Sequence, residues 1–147
     1  MLEVLIEAAA GSHWRDRYDG VTSVHTSRRQ VVCPYPYPYG FIRNTRGDDG
    51  DAVDCYVLTT ETLRSGETVK GRAVGLLEQI EDGEIDHKVL VALPGSEPTL
   101  DQALYDRLRE FIVSVFTPYP TVNVRLGRML GAEEAEVFVM NHGIRAG

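Results

Sequence analysis

The first two-thirds of the chain carry short apolar runs in an extended rhythm, and the last third shifts to a helical one. Leu2–Glu7, Val21–His25, Gln30–Cys33, Val53–Thr59, Val69–Leu77 and Ile85–Leu93 are rich in Val, Ile and Leu, and they predict strands. Turn signals separate them at Asp19-Gly20, Gly47 with Asp48-Asp49-Gly50, Ser65-Gly66, Asp82-Gly83 and Pro94-Gly95. From Thr99 onward, Leu100, Ala103, Leu104, Leu108, Phe111, Ile112, Val115 and Phe116 recur at three- and four-residue steps. That spacing makes one apolar helix face. Thr99 with Gln102 fits a capping box, and Pro118 stops the run. Val122–Leu126 predicts a last strand, and Ala132–Met140 a short closing helix with Gly143 just past its end. The pattern predicts a mainly β fold with flanking helices (α+β): a small barrel with one main and one minor helix outside it, not alternating βαβ units.

Composition narrows the class. Residues 1–147 show no repeat and no Ser/Gly linker, so the chain reads as one domain. Fifteen Lys and Arg stand against 22 Asp and Glu, a formal net charge of −7. That balance argues against a broad grip on nucleic acid or on an anionic membrane, which needs a basic footprint. The apolar stretch Val89–Leu93 falls far short of the ~18 residues of a membrane span. The opening MLEVLIEAAAGS puts acids where a signal peptide carries bases. Cys33 and Cys55 are too few to staple a secreted scaffold, so the expectation is two reduced thiols in a cytoplasmic protein.

Two acidic knots carry the candidate chemistry. Four of the seven residues Asp48–Asp54 are Asp, and four of the eight residues Glu81–Lys88 are acids. Either knot alone also fits a solvated turn, because Asp-Gly is an ordinary turn dipeptide. Asp49 and Asp51 alternate on one face of an extended segment, and a turn or bulge would bring Asp54 round to the same point. Asp86 and Lys88 fall on one face of a strand whose other face holds His87, Val89 and Val91. Oxygen ligands suit a hard divalent ion, Mg²⁺, Mn²⁺ or Ca²⁺. An EF-hand is excluded, since the loop from Asp49 has Asp54 where Gly is required and Thr60 in place of the closing Glu. No complete P-loop or dinucleotide fingerprint is present.

In Pro34-Tyr35-Pro36-Tyr37-Pro38-Tyr39-Gly40-Phe41 the alternating Pro forces an extended path suited to a sheet edge. Tyr35, Tyr37 and Tyr39 then line one side, for packing, for docking as a polyproline-like ligand, or as phenols around an anion.

These motifs are specific in combination. Tyr35-Pro36-x-x-Tyr39-Gly40-Phe41-Ile42-x-Asn44-Thr45, Asp49-Gly50-Asp51-x-Val53-Asp54, Gly75-Leu76-Leu77 and Asp86-x-Lys88 with Val91-x-x-Pro94 resemble the soluble (family I) inorganic pyrophosphatases. The resemblance covers nearly the whole chain and implies a closed five-stranded barrel of OB-like shape. It also implies Mg²⁺-dependent hydrolysis of diphosphate, several ions being held between carboxylates, with Mn²⁺ as an alternative. By resemblance, Asp49, Asp54 and Asp86 are ligands of the tighter metal pair, and Asp51 takes or orients the proton of the attacking water. Glu81 stands where the family has an Asp ligand, and Glu7 where it has a Glu at the end of the first strand. Lys88, Tyr39, Tyr119 and Tyr35 match positions around the phosphates, and Arg15 replaces a Lys there. Bacterial members commonly form hexamers, so a homo-oligomer is implied.

The chain also departs from the pattern. An Arg usual eight residues before the first Tyr is Ser27, with Arg28 and Arg29 beside it; a slip of one or two residues would restore the role, and Arg28 is taken as the substitute candidate. The Lys usual after the late Tyr is Pro120, and a Glu usual two residues after the Arg15 site is Arg17. The thinner phosphate clamp leaves two alternatives open: a hydrolase of another small phosphoanhydride, or a non-catalytic homologue that binds metal or phosphate.

Overall fold

The computed structural model describes residues 1–144. Its centre is a ring of five strands. These are β1 (Leu2–Ala8), β4 (Tyr39–Ile42), β5 (Asp54–Val57), β8 (Lys88–Ala92) and the long β6 (Thr68–Glu81), which pairs back onto β1 and closes the circle. β5 and β8 run parallel, and the other neighbours in the ring run antiparallel. β6 overshoots the ring and pairs there with β7 (Glu84–Ile85) and β9 (Val124–Leu130). A separate ribbon pairs β2 (Trp14–Tyr18) with β3 (His25–Gln30). Helices α1 (Gln102–Phe116) and α2 (Ala132–Asn141) complete the fold, and no described helix is long and apolar enough to cross a membrane. The five-stranded closed fold with one longer and one shorter helix matches the expectation.

Alternation along the strands sorts the core into two clusters. Val4, Ile6, Ile42, Cys55, Val57, Val89 and Val91 pack together with Ala135 of α2. Tyr39, Tyr56, Leu77 and Leu90 point to the other face, where Leu104, Leu108, Phe111 and Ile112 of α1 cover them. Each such side chain, fully buried, contributes about 1.5–3 kcal/mol, which outweighs the weak intrinsic tendency of a short helix to form. Gly40 is required where β4 crosses β1, because a Cβ there would lie 2.0 Å from the Leu5 carbonyl oxygen.

Several expected elements shift. Val21–His25 is mostly a turn, in which the Asp19 carboxylate accepts from the N–H groups of Val21 and Thr22 at 2.9 and 2.8 Å. The strand begins at His25 and ends at Gln30, so Gln30–Cys33 is not the strand either. The Tyr-Pro run ends in β4, a buried inner strand and not a sheet edge, because the last Pro lies just before it. Ile85–Leu93 divides into β7 and β8, with Asp86 and His87 between them. The α1 cap is Asp101, whose Oδ1 accepts from Leu104 N at 2.9 Å, and Thr99 takes no part.

Candidate active site

Strand register sets the centre of the site. Cys55 pairs with Val89 in the parallel β5–β8 ladder, so the preceding residues, Asp54 and Lys88, stand side by side where the two strands begin. Lys88 Nζ donates to Asp54 Oδ2 at 2.9 Å and lies 3.1 Å from Asp86 Oδ2. In β1 the pairing with β4 skips Glu7, which is bulged out between Ile6 and Ala8. Glu7 Oε1 accepts from Arg15 Nη2 at 2.9 Å and from Nε at 3.1 Å. Arg15 Nη2 also reaches Asp54 Oδ1 at 3.5 Å. The chain Glu7–Arg15–Asp54–Lys88–Asp86 is therefore continuous. Both cations lie over the Tyr39 ring, Arg15 at 4.9 Å and Lys88 at 5.7 Å from its centroid.

All of these groups except Glu7 line a cleft of about 620 Å³. The first acidic loop contributes Asp49 and Asp51, shaped by Asp51 N donating to Asp49 Oδ1 at 3.0 Å and by Gly50 at φ +87°. The β6–β7 hairpin contributes Glu81, Asp82 and Glu84; its Asp82-Gly83 turn has both residues at positive φ. Arg15, Arg17 and Arg29 face the cleft from the β2–β3 ribbon, Tyr35 and Tyr39 line its floor, and Tyr119 lies at its rim, 40% exposed.

The electrostatics split the carboxylates into two kinds. Burial alone would raise the pKa of Asp54, but Lys88 and Arg15 outweigh it and hold the group below the usual carboxylate range. Glu7 goes the other way, because its burial exceeds the help it receives from Arg15. Burial pushes Asp49 up, with neighbouring Asp86, Asp51 and Asp54 adding to the effect. Burial and its contact with Asp86 also push Glu81 up. Lys88 loses some basicity to burial and regains more from Asp54 and Asp86, so it stays an ammonium.

The donor set fits a hard divalent cation. Its ligating atoms are oxygens, Glu81 stands directly opposite Glu84, and the buried Oε1 of Gln79 on the same wall has no hydrogen-bond partner. Among the described residues, however, no three His, Cys, Asp or Glu side chains gather closely enough to hold an ion as they stand. The expected meeting of Asp49, Asp51 and Asp54 at one point is thus reduced to a shared cleft. Arg15 and Lys88 engage the two oxygens of Asp54 and keep it apart from the other two.

Two candidates fall outside the cleft lining. Glu7, 2% exposed, is buried beneath Arg15. Arg28 points away, 3.6 Å from Asp16 and over the Trp14 ring at 4.4 Å. Its neighbour Arg29 takes the cleft side, with its guanidinium 5.0 Å from the centroid of Tyr119. Tyr37 packs on α1, accepting from Arg107 Nη1 at 2.9 Å, so the three tyrosines do not act alike. Sequence reasoning missed Gln79, gave no separate role to Asp82 and Glu84 within the second acidic knot, and preferred Arg28 to Arg29. The two-residue strand period would have singled out Arg29, the residue on the same face as Ser27, but β2 and β3 lack the apolar alternation that reveals strands.

Comparison with known proteins agrees with this geometry. The chain is 31% identical over 144 residues to an inorganic pyrophosphatase of Nostoc sp., covering 92% of this chain and 84% of that one. A Synechocystis inorganic pyrophosphatase is 32% identical over the same length and coverage. The solved structure of the Helicobacter pylori inorganic pyrophosphatase superposes with a TM-score of 0.85 at 26% identity, covering 95% of this chain and 89% of that one. The sequence profile of the inorganic pyrophosphatases matches residues 4–142, and the chain belongs to that family.

Proposed function

We propose that this chain hydrolyses inorganic diphosphate to two phosphates with Mg²⁺ as the working ion. Asp49, Asp54, Asp86 and Glu81 are the residues that would hold it, Asp54 being kept ionised by its two cationic neighbours. When bound, such ions screen the charge of the substrate and acidify a water toward neutrality. Asp51, exposed at the turn and facing the cleft, takes the proton of the attacking water. The water oxygen forms its bond to one phosphorus as the bond from that phosphorus to the bridging oxygen breaks. The electron pair leaves with the second phosphate, and Lys88 and Arg15 neutralise it. Tyr39 and Tyr35 fix orientation at the floor, and Tyr119 does so at the rim. Glu7 serves as the seat of Arg15.

The observation that carries this reading is the convergence of five carboxylates, Asp49, Asp51, Asp54, Glu81 and Asp86, with Lys88 and Arg15 in one cleft. Hydrolysis needs little covalent chemistry from the protein, which accords with a site that has no evident nucleophile–base pair. The test is phosphate release from diphosphate with and without Mg²⁺, for wild type and Asp51→Asn together. Release that ignores Mg²⁺ refutes the reading. Self-assembly belongs to the same proposal and is supported by the exposed Val137 and Met140 on α2; light scattering reads it.

A further inference from the structure

The structure assigns Gln79 as a further cation ligand of the acidic cleft, its side-chain amide oxygen completing a site with Glu81 and Asp86; the assignment rests on the Mg²⁺-diphosphate reading above. Pairing between β6 and the chain that follows it keeps one register, from Glu81 opposite Glu84 to Leu77 opposite Lys88. That register sets Gln79 opposite Asp86, whose backbone N–H donates to the Gln79 carbonyl at 2.9 Å. The Gln79 N–H in turn donates to His87 Nδ1 at 2.9 Å, so the backbone here is held firmly. At a two-residue period Gln79 and Glu81 fall on one face of β6. Gln79, Glu81 and Asp86 all line the cleft.

Gln79 is 2% exposed, and its Oε1 has no hydrogen-bond partner among the described residues. Such an orphan is costly, because a buried acceptor has given up water and gained nothing in return. Its surroundings on that face are two leucines and two acids. Leu126 of β9 pairs with it on one side, and Leu77 precedes it along β6. Glu81 follows it, and Asp86 lies across from it. Lys88, the ammonium next along, already serves Asp54 and Asp86. Glu81 and Asp86 are themselves in contact. A stranded amide oxygen beside two touching acids is satisfied by positive charge entering from the cleft. Two carboxylates balance a divalent ion, and a third would add repulsion. The amide adds a hard oxygen without adding charge.

The experiment titrates Mg²⁺ into the substrate-free protein by calorimetry, melts the metal-free protein, and follows phosphate release from diphosphate alongside. Gln79→Met, an apolar side chain of similar length, is expected to raise the Mg²⁺ Kd at least ~10-fold. The metal-free melting temperature should hold or rise, because the variant no longer buries an unpaired oxygen. Gln79→Glu keeps an oxygen at the same reach and is expected to bind Mg²⁺ within ~3-fold of wild type. A Gln79→Met Kd within ~3-fold of wild type overturns the assignment. So does a lowered metal-free melting temperature, which would mark the amide as a structural group. So does a glutamate variant that binds as weakly as the methionine one. Wild type that binds Mg²⁺ yet releases no phosphate overturns the diphosphate reading alone, and the calorimetric comparison still tests Gln79.

Discussion

Lys88 and Asp54 are locked side by side at the start of two parallel strands, Nζ to Oδ2 at 2.9 Å, with only 6% and 15% of their side chains exposed. Removing one partner of such a pair leaves a half-buried charge. Lys88→Ala is expected to cost about 3 kcal/mol, the lower end of the range for breaking buried pairs, because Arg15 still attends Asp54. Urea unfolding measures it, and a loss under about 0.5 kcal/mol would show that the pair does not act as a buried ion pair.

Asp51 behaves differently. Its side chain is exposed, and its backbone is what shapes the loop, through N–H donation to Asp49. Asp51→Asn is therefore expected to leave the melting temperature within a degree or so while kcat falls about 10²–10⁴-fold. Equal losses of stability and turnover would contradict that separation.

Metal removal gives a third expectation. Chelation should abolish phosphate release, and Mg²⁺ should restore it. Mg²⁺ should also raise the melting temperature of the substrate-free protein by relieving repulsion among Asp49, Glu81 and Asp86. At an ion concentration about 100 times its dissociation constant, the linkage amounts to about 2.7 kcal/mol. Scanning calorimetry with and without the ion decides it; no shift counts against the carboxylate cleft as the binding place.

The ribbon offers a pH test away from the catalytic groups. Burial tends to raise the pKa of Asp16, but hydrogen bonds from Ser65 and His25 and the charge of Arg28 pull it below the ordinary Asp value. A carboxylate depressed in the folded state adds stability above its unfolded pKa of about 3.9, and this is lost as pH falls through the lower folded value. Asp16→Asn should therefore be less stable than wild type at pH 6, with the gap closing below about pH 3. Denaturant curves at the two pH values test this, and a gap independent of pH would refute it.

Close approach at Gly40 predicts a steric failure. Gly40→Ala places a methyl group against the Leu5 carbonyl and should cost 3 kcal/mol or more, roughly the upper end for overpacking. A variant as stable as wild type in urea would mean that β1 and β4 can part without penalty.

Much of the ring was legible because its strands are apolar on both faces and interrupted by Asp-Gly or Ser-Gly turns. The acidic loops were legible as chemistry because like charges in series need a reason. What escaped were β2 and β3, whose WRDRY and HTSRRQ segments cross the surface and carry no apolar alternation. Losing the ribbon meant losing the parity that sorts Arg28 from Arg29. The capture of Asp54 by two cations was equally hidden, since it depends on a parallel pairing between residues 34 positions apart.

The bulge at Glu7 has a consequence for how variants of this strand should be designed. Before it, Val4 and Ile6 belong to the core cluster shared with α2; after it, Ala8 belongs to the cluster covered by α1. One supernumerary residue thus resets which side of the strand looks inward. Replacing Glu7 probes a charge, whereas deleting it would remove the bulge and leave Ile6 and Ala8 as direct neighbours that keep their opposite faces by ordinary alternation, so the two manipulations answer different questions.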